Sequence, residues 1–394
     1  MAVIARSLYA SSTGQSADSV ESHPIVPGLF ALGTYQVDQH EIEEADGIQN
    51  EDDGEEKVNA PPFSRKGTLR LMQAKANESG MIDVDTLCTL DTAAILDMKW
   101  MSGSKDRLGV VLANSTLSLY TYDTTHDTKG RLCDPAHIQV NSNNSLCLSL
   151  DWSDRNQPAS SPSDTKAIIS QSDGTLAHIY DLEAASSSSS RGEGSTGIET
   201  WKAHDYEAWI AAFDSWSPNG QIVWSGGDDL TLKGWDLRLP SSSDQDCSSS
   251  DDGRGVTTIQ NHHLVQHLWA VGSYDEYVRL WDARQPNKPL SHTHVGGGIW
   301  RLKWHPTKRN SLLVGCMHDG FKVLSLDGIS LETSPEKVFD IAKQEMTIQT
   351  RFDEHKSLAY GCDWDRGRTI SASTIDHIYS CSFYDAMLHA WSHE

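Results

Sequence analysis

The chain lacks the short motifs that announce most chemistries. It has no Cys-x-x-Cys pair, no HExxH, no phosphate-cradling glycine loop and no Gly-x-Ser-x-Gly elbow, the nearest stretch being GEGSTG in a low-complexity segment. Its seven cysteines (Cys88, Cys133, Cys147, Cys247, Cys316, Cys362 and Cys381) stand apart without regular spacing. That odd, scattered set gives no zinc signature and suits a reducing compartment. Long apolar runs are also missing. The opening MAVIARSLYASS is too short for a signal peptide and no stretch approaches a membrane span, so the expectation is a soluble cytoplasmic protein. Basic residues are scarce, with 32 Lys and Arg against 55 Asp and Glu and a net charge of −23. Nothing basic is concentrated enough to displace counterions from a phosphate backbone, which excludes nucleic-acid binding.

Much of the acidity is local. Residues 38–56, DQHEIEEADGIQNEDDGEE, hold ten acidic residues and no Lys or Arg. With AASSSSSRGEGSTG and PSSSDQDCSSSDDG, this stretch carries too little apolar surface to offset its ordering entropy. Three disordered insertions are expected, at 38–58, 184–198 and 240–253.

What the chain does hold is a repeat. Thirteen tryptophans recur in register. In IVWSGGDDLTLKGWD, LWAVGSYDEYVRLWD and IYSCSFYDAMLHAWS, an apolar strand is followed by small residues, an aspartate, and a tryptophan six positions later. The pairs are Asp229 and Trp235, Asp275 and Trp281, Asp385 and Trp391. Alternation of apolar and polar residues between them has the strand period. Degenerate copies lie at VVLANSTLSLYTYD, IISQSDGTLAHIYD and LLVGCMHDGFKVLSL, and LFALGTYQV with KGTLRLMQA reads as one pair split by the acidic insertion. A second element precedes each pair: ILDMKW, CLSLDW, IWRLKWHP and AYGCDW. Units near 28–76, 90–123, 145–181, 203–238, 255–284, 297–327 and 355–392 predict one all-β domain, a seven-bladed WD-repeat β-propeller. Such an array must close on itself, and Val3–Tyr9 is the candidate outer strand of the last blade.

Within this frame, HDYEAWIAAF leads into a blade. A histidine there can lock the turn of its own blade, and His204 lies 25 residues before Asp229. In CMHDGF, His318 falls where a turn aspartate is expected, a departure from the local rule. Residues just before the turn aspartates face the narrow rim; these are Asp228, Tyr274 and Tyr384, with Met317 before His318. Trp209, Trp300 and Tyr360 begin inner strands near the same rim. Converging aromatic faces beside carboxylates suit a quaternary ammonium, which ring quadrupoles attract without hydrogen bonds.

HDYEAWIAAF, SGGDDLTLKGWD, GSYDEYVRLWDAR, GGGIWRLKWHP, CMHDGF, SLAYGCDW and SCSFYDAMLHAW, together with ALGTYQV, resemble the WD-repeat diphthine methylesterase family of the diphthamide pathway. The resemblance spans residues 28–392 and is interrupted by the three insertions. It implies an esterase acting on translation elongation factor 2, whose modified histidine carries a trimethylammonium and a methyl ester. Hydrolysis would release methanol and free the carboxylate for a final amidation. With no metal-ligand cluster in the sequence, no metal and no cofactor are expected, and the chain is expected to be a monomer.

No catalytic triad carries over from the family. The residues themselves offer His318 or His204 as general base, with Asp319 or Glu207 as the orienting carboxylate and Arg301 as positive charge for an oxyanion. Cys316 and Cys381 are nucleophile candidates that nothing in the sequence activates. The opposing reading is a non-catalytic propeller that docks a protein partner.

Overall fold

The computed structural model describes residues 2–39, 63–104, 106–125, 130–154, 164–187, 197–239, 249–250, 255–330, 332–366 and 375–393. Most of the three low-complexity insertions lies outside these residues; Leu182–Ser187 forms a short helix.

Seven sheets, antiparallel except for one added N-terminal strand, stand in a ring, a seven-bladed β-propeller. The innermost strands, in order around the ring, are Ala17–Ser22, Ile95–Trp100, Cys147–Trp152, Ile210–Phe213, Val256–Asn261, Arg301–Trp304 and Ala359–Trp364. Blade 1 begins with Ala17–Ser22, upstream of the Leu29–Thr34 strand that pairs with Phe63–Ala76 across the acidic insertion.

Closure uses the N-terminal stretch twice. Ser7–Ser12 pairs antiparallel with Met387–His393 as the outer strand of blade 7. Val3–Ile4 runs parallel to Thr347–Phe352 and adds a fifth strand to blade 6. The expected role of Val3–Tyr9 is therefore divided between two blades. Each blade leaves an apolar face that only a neighbour can cover, so burying the ends in one another removes the exposed edges.

The two recurring sequence elements have different tasks. The tryptophans that end inner strands reach sideways to the previous blade. Trp100 donates from Nε1 to the Glu21 carbonyl (3.3 Å), Trp152 to Lys99 (2.9 Å), Trp304 to Gln260 (3.2 Å) and Trp364 to Lys303 (2.9 Å). Each bond contributes about 1 kcal/mol net, and burying each large ring adds more. The outer tryptophans fill the wedges between blades or within them: Trp201 meets Trp235 at 5.7 Å and Trp224 meets Trp269 at 5.5 Å, both edge to face.

The inner strands share an irregularity. Their ladders slip at Asp18 in blade 1, Leu96 in blade 2, Leu148 in blade 3, Thr257 in blade 5 and Tyr360–Gly361 in blade 7. In blades 4 and 6 the same position, four residues before the strand's last residue, is held by Trp209 and Trp300. A bulge re-aims its side chain out of the ladder. Seven such positions surround one mouth of the central channel.

Candidate functional site

His204 is built into its blade. Its Nδ1 lies 2.8 Å from Asp229 Oδ1 and its Nε2 lies 2.7 Å from Ser225 Oγ, which also accepts from Trp235 Nε1 at 2.8 Å. The ring is only 1% exposed. Burial works against the Asp229 charge, but bonds from His204 and Thr231 hold the carboxyl well below its usual range. Both imidazole nitrogens are occupied, and no bond joins His204 to Glu207. The His204–Glu207 acid–base pair therefore does not form, because the turn takes the histidine first.

Blade 6 corrects the register read from CMHDGF. In each turn a left-handed residue follows the aspartate: Leu230 (φ 67°) after Asp229, Glu276 (φ 73°) after Asp275 and Ala386 (φ 49°) after Asp385. Gly320 (φ 67°) follows Asp319, so Asp319 is the turn aspartate of this blade and His318 precedes it. Five residues separate Gly315 from its partner Phe321, as they separate Gly226 from Leu232, so the left-handed glycine decides where the turn closes. His318 thus takes the rim place of Asp228, Tyr274 and Tyr384, while Met317 is buried and bridges to Ala359.

Asp319 does not orient His318 either. Its carboxylate bonds Lys322 on one oxygen and Arg351 on the other at 2.8 Å. Despite desolvation, these cations hold it ionised below the usual carboxylate range. His318 is exposed, with no hydrogen bond among the described residues.

The aromatic residues do converge. Tyr274 and Trp209 are 6.4 Å apart by ring centroid, Trp209 and Trp300 5.4 Å, and Tyr274 and Trp300 6.4 Å. Trp300 continues to Tyr360 at 4.8 Å, Tyr360 to Phe383 at 5.0 Å, and Phe383 to Tyr384 at 5.1 Å. Rings from blades 4, 5, 6 and 7 thus form one wall around the mouth. All but Tyr384 are half-buried; Tyr384 is 75% exposed and stands at the rim. Trp300 Nε1 is buried with no partner among the described residues.

Negative charge adjoins this wall. Trp209 Nε1 donates to Asp228 Oδ1 at 2.7 Å, and the Asp228 amide bonds the Glu207 carbonyl at 2.9 Å. Burial, with the Glu207 and Asp229 charges, pushes the Asp228 carboxyl above its ordinary value in spite of the Trp209 bond. Burial likewise raises the phenols of Tyr274 and Tyr360, so both stay neutral donors at any physiological pH. Rings set mostly edge to face beside a carboxylate of incomplete counter-charge can hold a soft organic cation.

On the inner wall lies a buried ionic cluster that the sequence reading reached only through Arg301. Arg301 Nη2 donates to the Leu96 carbonyl at 2.9 Å, approaches Asp97 at 3.4 Å, and lies 3.8 Å from Asp18. Lys99 bonds Asp97 at 2.7 Å, so although burial opposes ionisation, Lys99 and Arg301 hold Asp97 down at about 2. Asp18 keeps only the distant edge of Arg301 and a 2.9 Å bond from Ser19 Oγ. Desolvation wins there, and its carboxyl is pushed up to about 7. The residue was missed because its strand lies upstream of the first recognisable repeat. A signal exists in hindsight: Asp18 stands four residues before Ser22, as Trp300 stands four before Trp304.

The thiols are inert by environment. Cys316 and Cys381 are fully buried; desolvation pushes Cys316 up to about 12 and Cys381 well above its ordinary value. Neither is an activated nucleophile in this arrangement.

No family model matches the sequence. Among solved structures, a chain in the crystal structure of the mitotic checkpoint complex superposes with a TM-score of 0.62, covering 98% of this chain and 91% of that one. At 14% identity that likeness speaks for the fold alone. Curated relatives are nearer. A "diphthine methyltransferase homolog" of Dictyostelium discoideum is 35% identical, covering 95% of this chain and 96% of its own length. The human protein named "diphthine methyltransferase" is 36% identical, covering 89% of this chain and 73% of its own, and the mouse protein of that name is 35% identical over 91% and 69%. Relatives at this identity, aligned over most of both chains, assign the chain to the diphthine methyltransferase family of WD-repeat proteins.

Proposed function

We propose that this protein removes the ester methyl group of methylated diphthine on translation elongation factor 2, by hydrolysis that releases methanol. The family's names support a role in diphthamide biosynthesis and an action on the diphthine methyl group. The direction of that action and the carrier protein are our reading. The observation that carries it is the meeting of Trp209, Tyr274, Trp300 and Tyr360 at one mouth, with Asp228 bonded to the Trp209 edge. A trimethylammonium group cannot accept or donate a hydrogen bond, and aromatic faces with a nearby carboxylate suit it. The ester shares a carbon with that ammonium, so binding the cation also positions the carbonyl. A net charge of −23 further favours a cationic substrate over an anionic one.

The test is direct. Purified protein is incubated with elongation factor 2 carrying methylated diphthine, and the histidine peptide is followed by mass spectrometry alongside methanol. Loss of the ester methyl with one methanol per site is expected. Gain of a methyl that depends on an added methyl donor would replace hydrolysis with transfer. An unchanged ester on a stably bound factor would leave a scaffold.

A further inference from the structure

The geometry points to Asp18 as the general base of this site, the group that takes a proton from the water attacking the ester carbonyl. The inference deepens the hydrolytic reading above and rests on it.

Its position is the first argument. Asp18 is the bulged residue of blade 1, at the place that blades 4, 6 and 7 fill with Trp209, Trp300 and Tyr360. Blades 2, 3 and 5 put Leu96, Leu148 and Thr257 there. Asp18 is thus the one carboxylate among the seven mouth positions. A Cβ added at Gly361 would lie 2.7 Å from the Asp18 carbonyl and 2.8 Å from Cys381 Sγ. The glycine lets the innermost strands of blades 7 and 1 approach closely, which brings Asp18 beside Tyr360. The two are near enough for the Asp18 charge to raise the Tyr360 phenol.

The surrounding charges are the second argument. Arg301 faces Asp18 from blade 6, Asp97 from blade 2, and Tyr360 and Cys381 from blade 7, with Ser19 on its own strand. Arg301 is nearer to Asp97 than to Asp18, so the guanidinium steadies Asp18 without fixing it as a spent ion pair. A carboxyl pushed up to about 7 changes its protonation near neutrality and is basic enough to accept a proton from water. Asp228 has the other task. Bonded to Trp209, it answers the ammonium charge.

The step balances. Water oxygen bonds to the ester carbonyl carbon as its proton passes to the Asp18 carboxylate, leaving a tetrahedral oxyanion. Collapse breaks the carbon–methoxy bond, and Asp18 returns the proton to the departing oxygen as methanol forms. The product acid then ionises and releases one proton, so Asp18 ends as it began.

The experiment uses the full chain and ester-bearing elongation factor 2. Wild-type kcat is measured across about pH 5 to 9, and Asp18→Asn is measured for turnover, factor binding and melting. A wild-type limb near neutrality, rising with pH, is expected. Asp18→Asn should lose at least ~100-fold in kcat, lose the limb, and keep its binding. Turnover above about one tenth of wild type in a folded Asp18→Asn protein would overturn the assignment while leaving hydrolysis intact. If Asp18→Asn does not fold, the wild-type profile decides, and a flat one overturns the assignment. If wild type releases no methanol, the hydrolytic reading fails and takes Asp18 with it.

Discussion

The indole Nε1 of Trp209 donates to Asp228 Oδ1 at 2.7 Å, and this one bond ties the aromatic wall to its counter-charge. Trp209 immediately precedes the inner strand of blade 4 and Asp228 stands in the turn of the same blade. The bond fixes the ring's orientation, which decides whether its face is offered to a cation.

Replacing Asp228 with Asn keeps a hydrogen-bond acceptor for Trp209 and removes the charge. The expected result is a rise in KM or Kd for the trimethylammonium substrate of roughly tenfold, about 1–1.5 kcal/mol, with kcat changed much less. A large fall in kcat at constant KM would place Asp228 in the chemistry instead of in cation binding. Trp209→Phe should weaken binding as well, since it preserves a ring but releases the carboxylate.

His204 makes the opposite prediction. His204→Ala leaves Asp229 and Ser225 short of a buried partner, at a cost of about 2–4 kcal/mol in stability. Turnover per folded molecule should survive, so the melting temperature falls while kcat measured well below it does not. Loss of kcat in a folded variant would return this histidine to the reaction.

These two residues mark how far the sequence could be read. The repeat of aspartate and tryptophan was legible because a blade imposes strand alternation and a fixed turn on every copy. The link between His204 and Asp229 followed from spacing alone. The aromatic convergence was legible too, since inner-strand starts and turns share a rim in this fold. His318 was placed one position off because turn register depends on which residue turns left-handed, and composition does not say that. Asp18 stayed hidden because ADSVES carries no aromatic or turn signature. Its environment comes from Arg301, Asp97 and Tyr360, which lie at least 79 residues away in sequence and meet it only on ring closure.

Stability should fall from the acid side in two stages. Burial keeps His178 neutral down to about 4 and His262 down to about 3, and it lowers His355 and His393 as well. An unfolded histidine binds its proton near 6.5, so below that pH the unfolded chain takes up more protons and stability drops. His178 and His262 each withdraw about 3 kcal/mol by the end of this window. Asp18 acts in reverse, because its raised pKa makes the folded form the better proton acceptor between about 4 and 7. Asp214 and Asp228 are raised by burial in the same direction, and the buried histidines, with His389 lowered as well, outweigh these carboxyls. A second loss follows below about pH 4, where Asp97, Asp229 and Asp376 are protonated against their depressed folded values. Melting temperatures read from pH 8 to 4 should therefore decline already between 6.5 and 5. A flat profile down to pH 5 would show that these histidines are not held neutral.

Thiol reagents should spare the activity. Cys147, Cys316, Cys362 and Cys381 are buried, and burial pushes each thiol far above neutrality. Among the described cysteines, Cys88 and Cys133 are the partly exposed ones and should be alkylated first. Iodoacetamide at neutral pH is expected to modify those two while turnover persists. Inactivation that tracks modification of Cys316 or Cys381 would instead point to a thiol intermediate.

The ring closure can be opened on purpose. Ser7–Ser12 covers the edge of Met387–His393, and Leu8 and Tyr9 pack against the core shared by blades 1 and 7. Removing residues 2–12 uncovers that strand's unpaired backbone groups and also takes Val3–Ile4 from blade 6. An exposed edge recruits another chain, so the truncated protein should melt earlier and associate at micromolar concentration. The same edge should accept its missing strand in trans. A synthetic peptide of residues 2–14 is expected to reverse that association and raise the melting temperature, while a scrambled peptide should do neither. A truncated chain that stays monomeric and melts like the intact protein would mean that inter-blade packing alone closes the ring.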